Sequence, residues 1–177
     1  MGIEIERKFL LRDESWRGAV ERSERLRQGY LLGAGAAMDA AAPGQGRATV
    51  RVRVAGNEAW LNIKQGVPGV SRAEYEYPLP LADAEAMLAT LCGSVVEKTR
   101  HRVRVDATLF EVDEFAGDNS GLVVAEVELP AADAAFARPP WLGAEVSALR
   151  RYYNAELALR PYSRWLAQER AAGDAAC

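Results

Sequence analysis

Residues 2–11 read GIEIERKFLL, and the architecture of the chain follows from how they alternate. In an extended strand successive side chains point to opposite faces, so Glu4, Glu6 and Lys8 share one side while Ile3, Ile5 and Phe9 share the other. One face carries two carboxylates and an ammonium. Taken alone, this is the pattern of a half-buried strand with its charges in water. If further strands alternate apolar residues with charges of fixed sign, their polar faces can converge on one surface that binds something both anionic and metal-loaded.

The rest of the chain repeats the pattern. Arg25 to Leu32 places Leu26, Gln28, Tyr30 and Leu32 on one face, and Thr49 to Val54 (TVRVRV) sets Arg51 and Arg53 together against three valines. A Gly56-Asn57 turn leads into Ala59 to Gln65, where Lys64 and Asn62 oppose Leu61 and Ile63. After a turn at Pro68-Gly69, Arg72 to Pro78 puts Glu74 and Glu76 opposite Tyr75 and Tyr77. Val95 to Val105 (VVEKTRHRVRV) aligns Lys98, Arg100, Arg102 and Arg104, a row that would also suit an exposed edge strand. Thr108 to Phe115 pairs Glu111 with Asp113, and Leu122 to Leu129 pairs Glu126 with Glu128.

Helical periods fall elsewhere. Trp16 and Val20 predict a short helix within 12–23, and Leu81 to Leu91 predicts one with Asp83 and Glu85 in its first turn, where the helix dipole favours acids. Beyond Pro130, helices are expected at 131–136, 149–159 and 163–172, packed outside the sheet or capping one end. The Gly/Ala-rich stretch 33–46 has no period and reads as a mobile loop. No repeat or change of composition divides the chain. The expected fold is therefore α+β dominated by β: one domain over 1–177, with an eight-stranded antiparallel closed barrel over about 3–129 and C-terminal helices over about 131–172.

The 177 residues, 49% hydrophobic and 27% charged, are those of a soluble globular protein with a core, which excludes disorder throughout. A net charge of -3 argues against coating nucleic acid. Cys92 and Cys177 are too few for a disulfide framework, and a lone His101 excludes a histidine-rich metal site, so any metal must take oxygen ligands. No apolar run approaches the roughly 20 residues that cross a bilayer, and no signal peptide is visible. The expectation is a cytoplasmic protein with neither membrane nor nucleic acid as partner.

The polar faces together hold eight acids (Glu4, Glu6, Glu74, Glu76, Glu111, Asp113, Glu126 and Glu128) and seven bases (Lys8, Arg51, Arg53, Lys64, Lys98, Arg100 and Arg102). Burying unpaired charge costs several kcal/mol per ion, so such a surface makes sense only if acids, bases and a ligand neutralise one another. Carboxylates two residues apart can gather on a hard cation such as Mg²⁺ or Mn²⁺, and the arginines offer forked donors to phosphates. Metal plus polyphosphate is the joint reading. Taken singly, any of these residues is as well explained by a surface ion pair, above all Glu74 and Glu76. Tyr30 is more often a packing residue than a catalyst, and His101, on the opposite face from Lys98 and Arg100, belongs outside.

The ordered segments EIERKFL, RQGYL, RVR, IKQG, EYEYPL, EKTRHRV, EVDEF and AEVEL resemble the CYTH family of triphosphate tunnel metalloenzymes, and within it the bacterial inorganic tripolyphosphatases. The resemblance runs from Glu4 to about Glu128. It implies hydrolysis of a small-molecule triphosphate, foremost tripolyphosphate to diphosphate and phosphate, with two ions of Mg²⁺ or Mn²⁺. Glu4, Glu6, Glu111, Asp113, Glu126 and Glu128 would face metal. Lys8, Arg51, Arg53, Lys64, Lys98 and Arg100 would face phosphate; the strand faces add Arg102, Glu74 and Glu76 beside the substrate, and Lys98, Arg100 and, by its position next to Gln28, Tyr30 are the candidates for catalysis. Other activities in the family leave alternatives open: a class IV adenylate cyclase, a nucleoside or thiamine triphosphatase, or a module that binds polyphosphate without hydrolysing it. A homodimer is compatible with the sequence.

Overall fold

The computed structural model describes residues 2–31, 48–65 and 71–171. The loop expected at 33–46 and the Pro68-Gly69 turn lie outside these residues, as does the side chain of Glu4. Among the described residues nine strands form: β1 (Gly2–Leu11), β2 (Val20–Tyr30), β3 (Ala48–Ala55), β4 (Glu58–Gln65), β5 (Ser71–Leu79), β6 (Val95–Val105), β7 (Thr108–Phe115), β8 (Val123–Glu128) and β9 (Leu142–Glu145). Three α-helices accompany them: α1 (Leu81–Thr90), α2 (Asn154–Leu159) and α3 (Ala167–Ala171). The strands form one antiparallel sheet in the order β5-β4-β3-β2-β6-β7-β8-β1-β9, with β5 also pairing with β1 through Gly2 opposite Glu74 and Glu4 opposite Arg72.

The β-dominated antiparallel architecture is as expected, but the strand count is nine rather than eight. The additional strand, β9, has four residues and contains a glycine, which leaves too little alternation to read. Gly143 lies against β1 so closely that a Cβ there would sit 2.9 Å from the Leu10 carbonyl oxygen. The helix expected within 12–23 is a 3-10 turn at Ser15–Ala19, and β2 begins directly after it at Val20 instead of Arg25. The segment 131–136 is irregular. Pro130, Pro139 and Pro140 bound it, and it lays Phe136 against Phe9 and Phe110, at 5.7 and 6.4 Å between ring centroids. The long C-terminal helices are broken into 3-10 turns at Arg150–Tyr152 and Tyr162–Arg164 and the short α2 and α3.

Three apolar clusters hold the fold. On the face opposite the charges, Phe9, Val103, Phe110, Val112, Ala125 and Val127 pack with Trp16 and Trp141. Farther round the sheet, Ala84 and Leu88 of α1 cover Val52, Val54 and Ala59. The third cluster lies on the charged face. Leu10, Val96, Phe115 and Val124 meet Val146, Tyr152, Leu157 and Trp165, so the C-terminal segment caps one end of that face. Tyr152 and Trp165 seal the contact edge to face, with centroids 5.0 Å apart.

Two glycines matter to this arrangement. Gly56, at φ +56°, forms the β3–β4 turn with Asn57, as the Gly-Asn pair predicts. Gly29 lets β2 approach the end of α1, because a Cβ there would lie 2.5 Å from the Cys92 sulfur and 3.0 Å from a Leu88 methyl. Gly29→Ala is therefore expected to destabilise the protein by about 1–3 kcal/mol through overpacking. Urea denaturation checks this, and Cys92→Ala in the same chain should recover part of the loss.

Candidate active site

Strand register turns the alternating charges into two clusters. In the first, Lys8 stands directly opposite Glu126, Glu111 opposite the same Glu126, and Arg100 opposite Asp113. The Lys8 ammonium donates to Glu126 and lies 3.2 Å from Glu6. Arg100 forks onto Asp113 with two bonds of 2.7 Å, donates to Glu126 at 2.8 Å and also reaches Glu111. The Lys98 ammonium donates to Asp113 as well. Asp113 is 0% exposed, and two cations occupy its oxygens.

Burial governs the electrostatics here. It alone would raise the Glu126 carboxyl, but Lys8, then Arg100 and Lys98, outweigh it and hold that group well below the ordinary carboxylate range. Burial would likewise lower the Arg100 guanidinium, yet Asp113, Glu126 and Glu111 carry it well above its usual value. Lys98 goes the other way: burial, then the charge of Arg100, bring its ammonium from 10.5 to about 8 despite Asp113 and Glu126.

This shift has a consequence for stability. Between about pH 8 and 10.5 the unfolded chain binds more protons at Lys98 than the folded chain, so raising pH through that window stabilises the fold. The contribution is on the order of 3 kcal/mol at most. Denaturation of metal-free protein at pH 7.5 and pH 10 should show wild type gaining stability relative to Lys98→Met; parallel changes in the two would contradict the assignment.

The second cluster lies on β3, β4 and β5. Arg53 donates to Glu76 at 2.8 Å, Lys64 lies 3.3 Å from Glu74, and Arg51 is 3.8 Å from Glu74. Asn62, fully buried, donates to Glu74 at 3.0 Å and to Glu76 at 2.6 Å. Among the described residues three cations here face two carboxylates. The Nε atoms of Arg51 and Arg53 and the Oδ1 of Asn62 are buried without a hydrogen-bond partner. Burial and then the neighbouring Arg51 lower the Arg53 guanidinium.

Exposure along the charged rows gives the site a depth. On β6 the side chains of Lys98, Arg100 and Arg102 are 1%, 15% and 47% exposed. On β2 Gln28 is buried, Glu24 is half-buried and Arg22 is 64% exposed. The deep end is the one covered by the C-terminal segment, where Tyr153 places its ring 5.4 Å from the Lys8 ammonium and Asn154 accepts from Lys98 at 3.5 Å.

Most residues singled out in the sequence are brought together here. Glu128 stands directly opposite Glu6, and Tyr30 stands opposite Arg51, its hydroxyl accepting from Gln28 at 3.1 Å. Arg102 is at the open end, 4.0 Å from Glu111. His101 lies on the outer face as expected, bonded to Ser23 at 2.7 Å and packed on Trp16. The sequence offers the Arg150-Arg151-Tyr152-Tyr153 run either as a closure of the tunnel or as a helix cap, with the cap preferred, yet Tyr153 reaches the site. Sequence reasoning missed Asn154, from the same distant segment without strand periodicity. It also passed over Asn62 as a site residue, although Asn62 shares the parity of Lys64.

Among the described residues no group of three or more acids, histidines or cysteines is spaced to hold a metal ion, since Lys8 and Arg100 stand between the acids. The donor set nevertheless suits a hard cation. Glu6 with Glu128 and Glu111 with Glu126 are oxygen-bearing pairs directly opposite one another, now neutralised in part by Lys8 and Arg100, and such paired carboxylates are the ligands that a hard divalent cation takes.

Sheet and site define an antiparallel β protein that gathers acid pairs and a cation-rich wall on one face, and comparison places it: residues 2–160 match the CYTH domain, and the chain belongs to that family. An inorganic triphosphatase of Acetivibrio thermocellus is 38% identical over 166 residues, covering 93% of this chain and 99% of its own. One of Nitrosomonas europaea is 38% identical over 159 residues, covering 88% and 97%. The crystal structure of an inorganic triphosphatase superposes with a TM-score of 0.62 at 37% identity, covering 90% of this chain and 96% of the other.

Proposed function

We propose that the protein hydrolyses a triphosphate, foremost inorganic tripolyphosphate to diphosphate and phosphate, in a metal-dependent reaction. The observation that carries the reading is the cation-rich wall of Arg51, Arg53 and Lys64, with two buried guanidinium Nε atoms left without acceptors, facing a sheet that also bears opposed acid pairs. The names of the relatives support the same reaction class. The pairing of β1 with both β8 and β5 supports the finer view that eight strands close into a tunnel, with β9 added outside the ring.

In this reading Glu6, Glu111, Glu126 and Glu128, with Glu4, would hold Mg²⁺ or Mn²⁺, in two ions. When bound, the metal supplies charge neutralisation and lowers the pKa of an attacking water. The chain's own part is positioning. Arg51, Arg53, Lys64 and Lys8 bind and orient the phosphate oxygens, Glu74 and Glu76 holding the first three in place and Glu126 the last. Lys98 and Arg100 face the phosphoryl group under attack, where fixed positive charge stabilises the transition state. Asp113 acts as their counter-ion and positioner, because both its oxygens serve these two cations. Tyr30 lines the site beside Arg51. Water oxygen joins phosphorus, the bridging P–O bond breaks, and diphosphate leaves.

Product analysis tests the class. Given ATP and tripolyphosphate separately with Mg²⁺ or Mn²⁺, the protein is expected to release inorganic phosphate from tripolyphosphate. Cyclic AMP and diphosphate from ATP would replace this reading with a cyclase, and metal-dependent binding without phosphate release would replace it with a binding module.

A further inference from the structure

At the open end of the charged face Arg102, read from the sequence as a substrate-lining residue, stands beside a second cation, Arg22, that the triphosphate reading does not use. Arg22 on β2 stands directly opposite Arg102 on β6, one like-charged pair across the ladder. Like charges in this relation repel. Arg22 has Glu24 at 3.1 Å, and Arg102 reaches only to 4.0 Å from Glu111, so neither guanidinium is neutralised closely on both edges. Both are solvated, at 64% and 47% exposure. Arg102 lies two residues farther along β6 than Arg100, about 6.6 Å toward solvent along the same row. The opposite end of the face is covered by Phe115, Val124, Tyr152 and Leu157, and among the described residues exposure along β6 rises toward Arg102, the direction in which a substrate longer than the inner site would extend.

We propose that Arg22 and Arg102 form an outer anion subsite that receives the phosphate beyond the third of a linear polyphosphate, making the enzyme sensitive to chain length. This rests on the triphosphatase reading. A further phosphate fits the pair better than a nucleobase does. Two guanidiniums on directly opposed strand positions can offer forked donors to the oxygens of one phosphate.

The test compares tetrapolyphosphate, tripolyphosphate and ATP as substrates of wild type, Arg22→Ala and Arg22→Lys, with phosphate release as readout. Arg22 is exposed, and thermal unfolding checks that the variants remain folded. The expected result is a loss of about tenfold or more in kcat/KM for tetrapolyphosphate in Arg22→Ala, a smaller loss for tripolyphosphate, and partial recovery in Arg22→Lys, which keeps the charge without the fork. An unchanged ratio of tetrapolyphosphate to tripolyphosphate would overturn the subsite. A loss confined to ATP, or as large for ATP as for tetrapolyphosphate, would also overturn it, by showing that this end reads the nucleoside or acts without regard to chain length. Failure to release phosphate from any of these substrates in wild type would instead refute the triphosphatase reading on which the subsite depends.

Discussion

Asp113→Asn is expected to destabilise the protein by about 3 kcal/mol or more and to lower triphosphate hydrolysis by at least two orders of magnitude. Asp113 is wholly buried, and its two oxygens serve the Lys98 ammonium and the forked Arg100 guanidinium. Replacing the carboxylate by an amide of nearly the same shape leaves two adjacent buried cations with one anion fewer. Breaking a buried pair from one side typically costs about 3–5 kcal/mol, because the remaining charge stays desolvated. Part of that cost can be escaped, since Lys98, already brought to about 8, can release its proton. Arg100 has no such exit and must rely on Glu111 and Glu126. Urea denaturation reads the stability. Phosphate release by folded variant reads the activity, because the same change loosens the two cations assigned to the phosphoryl group.

Glu6→Gln is expected to separate activity from stability. The Glu6 side chain lies 3.2 Å from Lys8, which keeps Glu126 as its counter-ion, and removing one of two directly opposed acids relieves repulsion with Glu128, so the cost to the fold should be smaller than the loss of activity. If Glu6 and the facing Glu128 help to hold the metal, losing one anionic ligand should reduce tripolyphosphate turnover by about 100-fold or more and raise the Mg²⁺ or Mn²⁺ concentration needed for half-maximal rate. Turnover and metal dependence equal to wild type would remove Glu6 from the metal set.

The parts of this site legible in the sequence are those carried by strand parity. Glu6 with Lys8, Arg51 with Arg53, and the Lys98–Arg100–Arg102 row could be assigned to faces without a structure, because two residues always separate neighbours on one face. Parity says nothing about which charges become partners. That Arg100 would bind three acids at once, and that Asp113 would be enclosed by cations instead of lying open to a metal, depends on the register of β6 on β7 and of β7 on β8. Nor does alternation reveal what covers the sheet. Tyr152, Leu157 and Trp165 come from short 3-10 and helical pieces whose apolar residues follow no single period, yet they cap the deep end of the site. β9 escaped for a related reason: Leu142–Glu145 is too short for a pattern, and its place is set by the close contact of Gly143 with β1.

The measurement that bears most directly on the central claim is phosphate release from tripolyphosphate by the wild-type protein, followed with Mg²⁺ or Mn²⁺ and after addition of a chelator. The account predicts multiple turnovers to one phosphate and one diphosphate per tripolyphosphate, abolished by the chelator and restored by excess metal. Hydrolysis that continues undiminished without divalent metal, or no hydrolysis with any divalent metal, would contradict it.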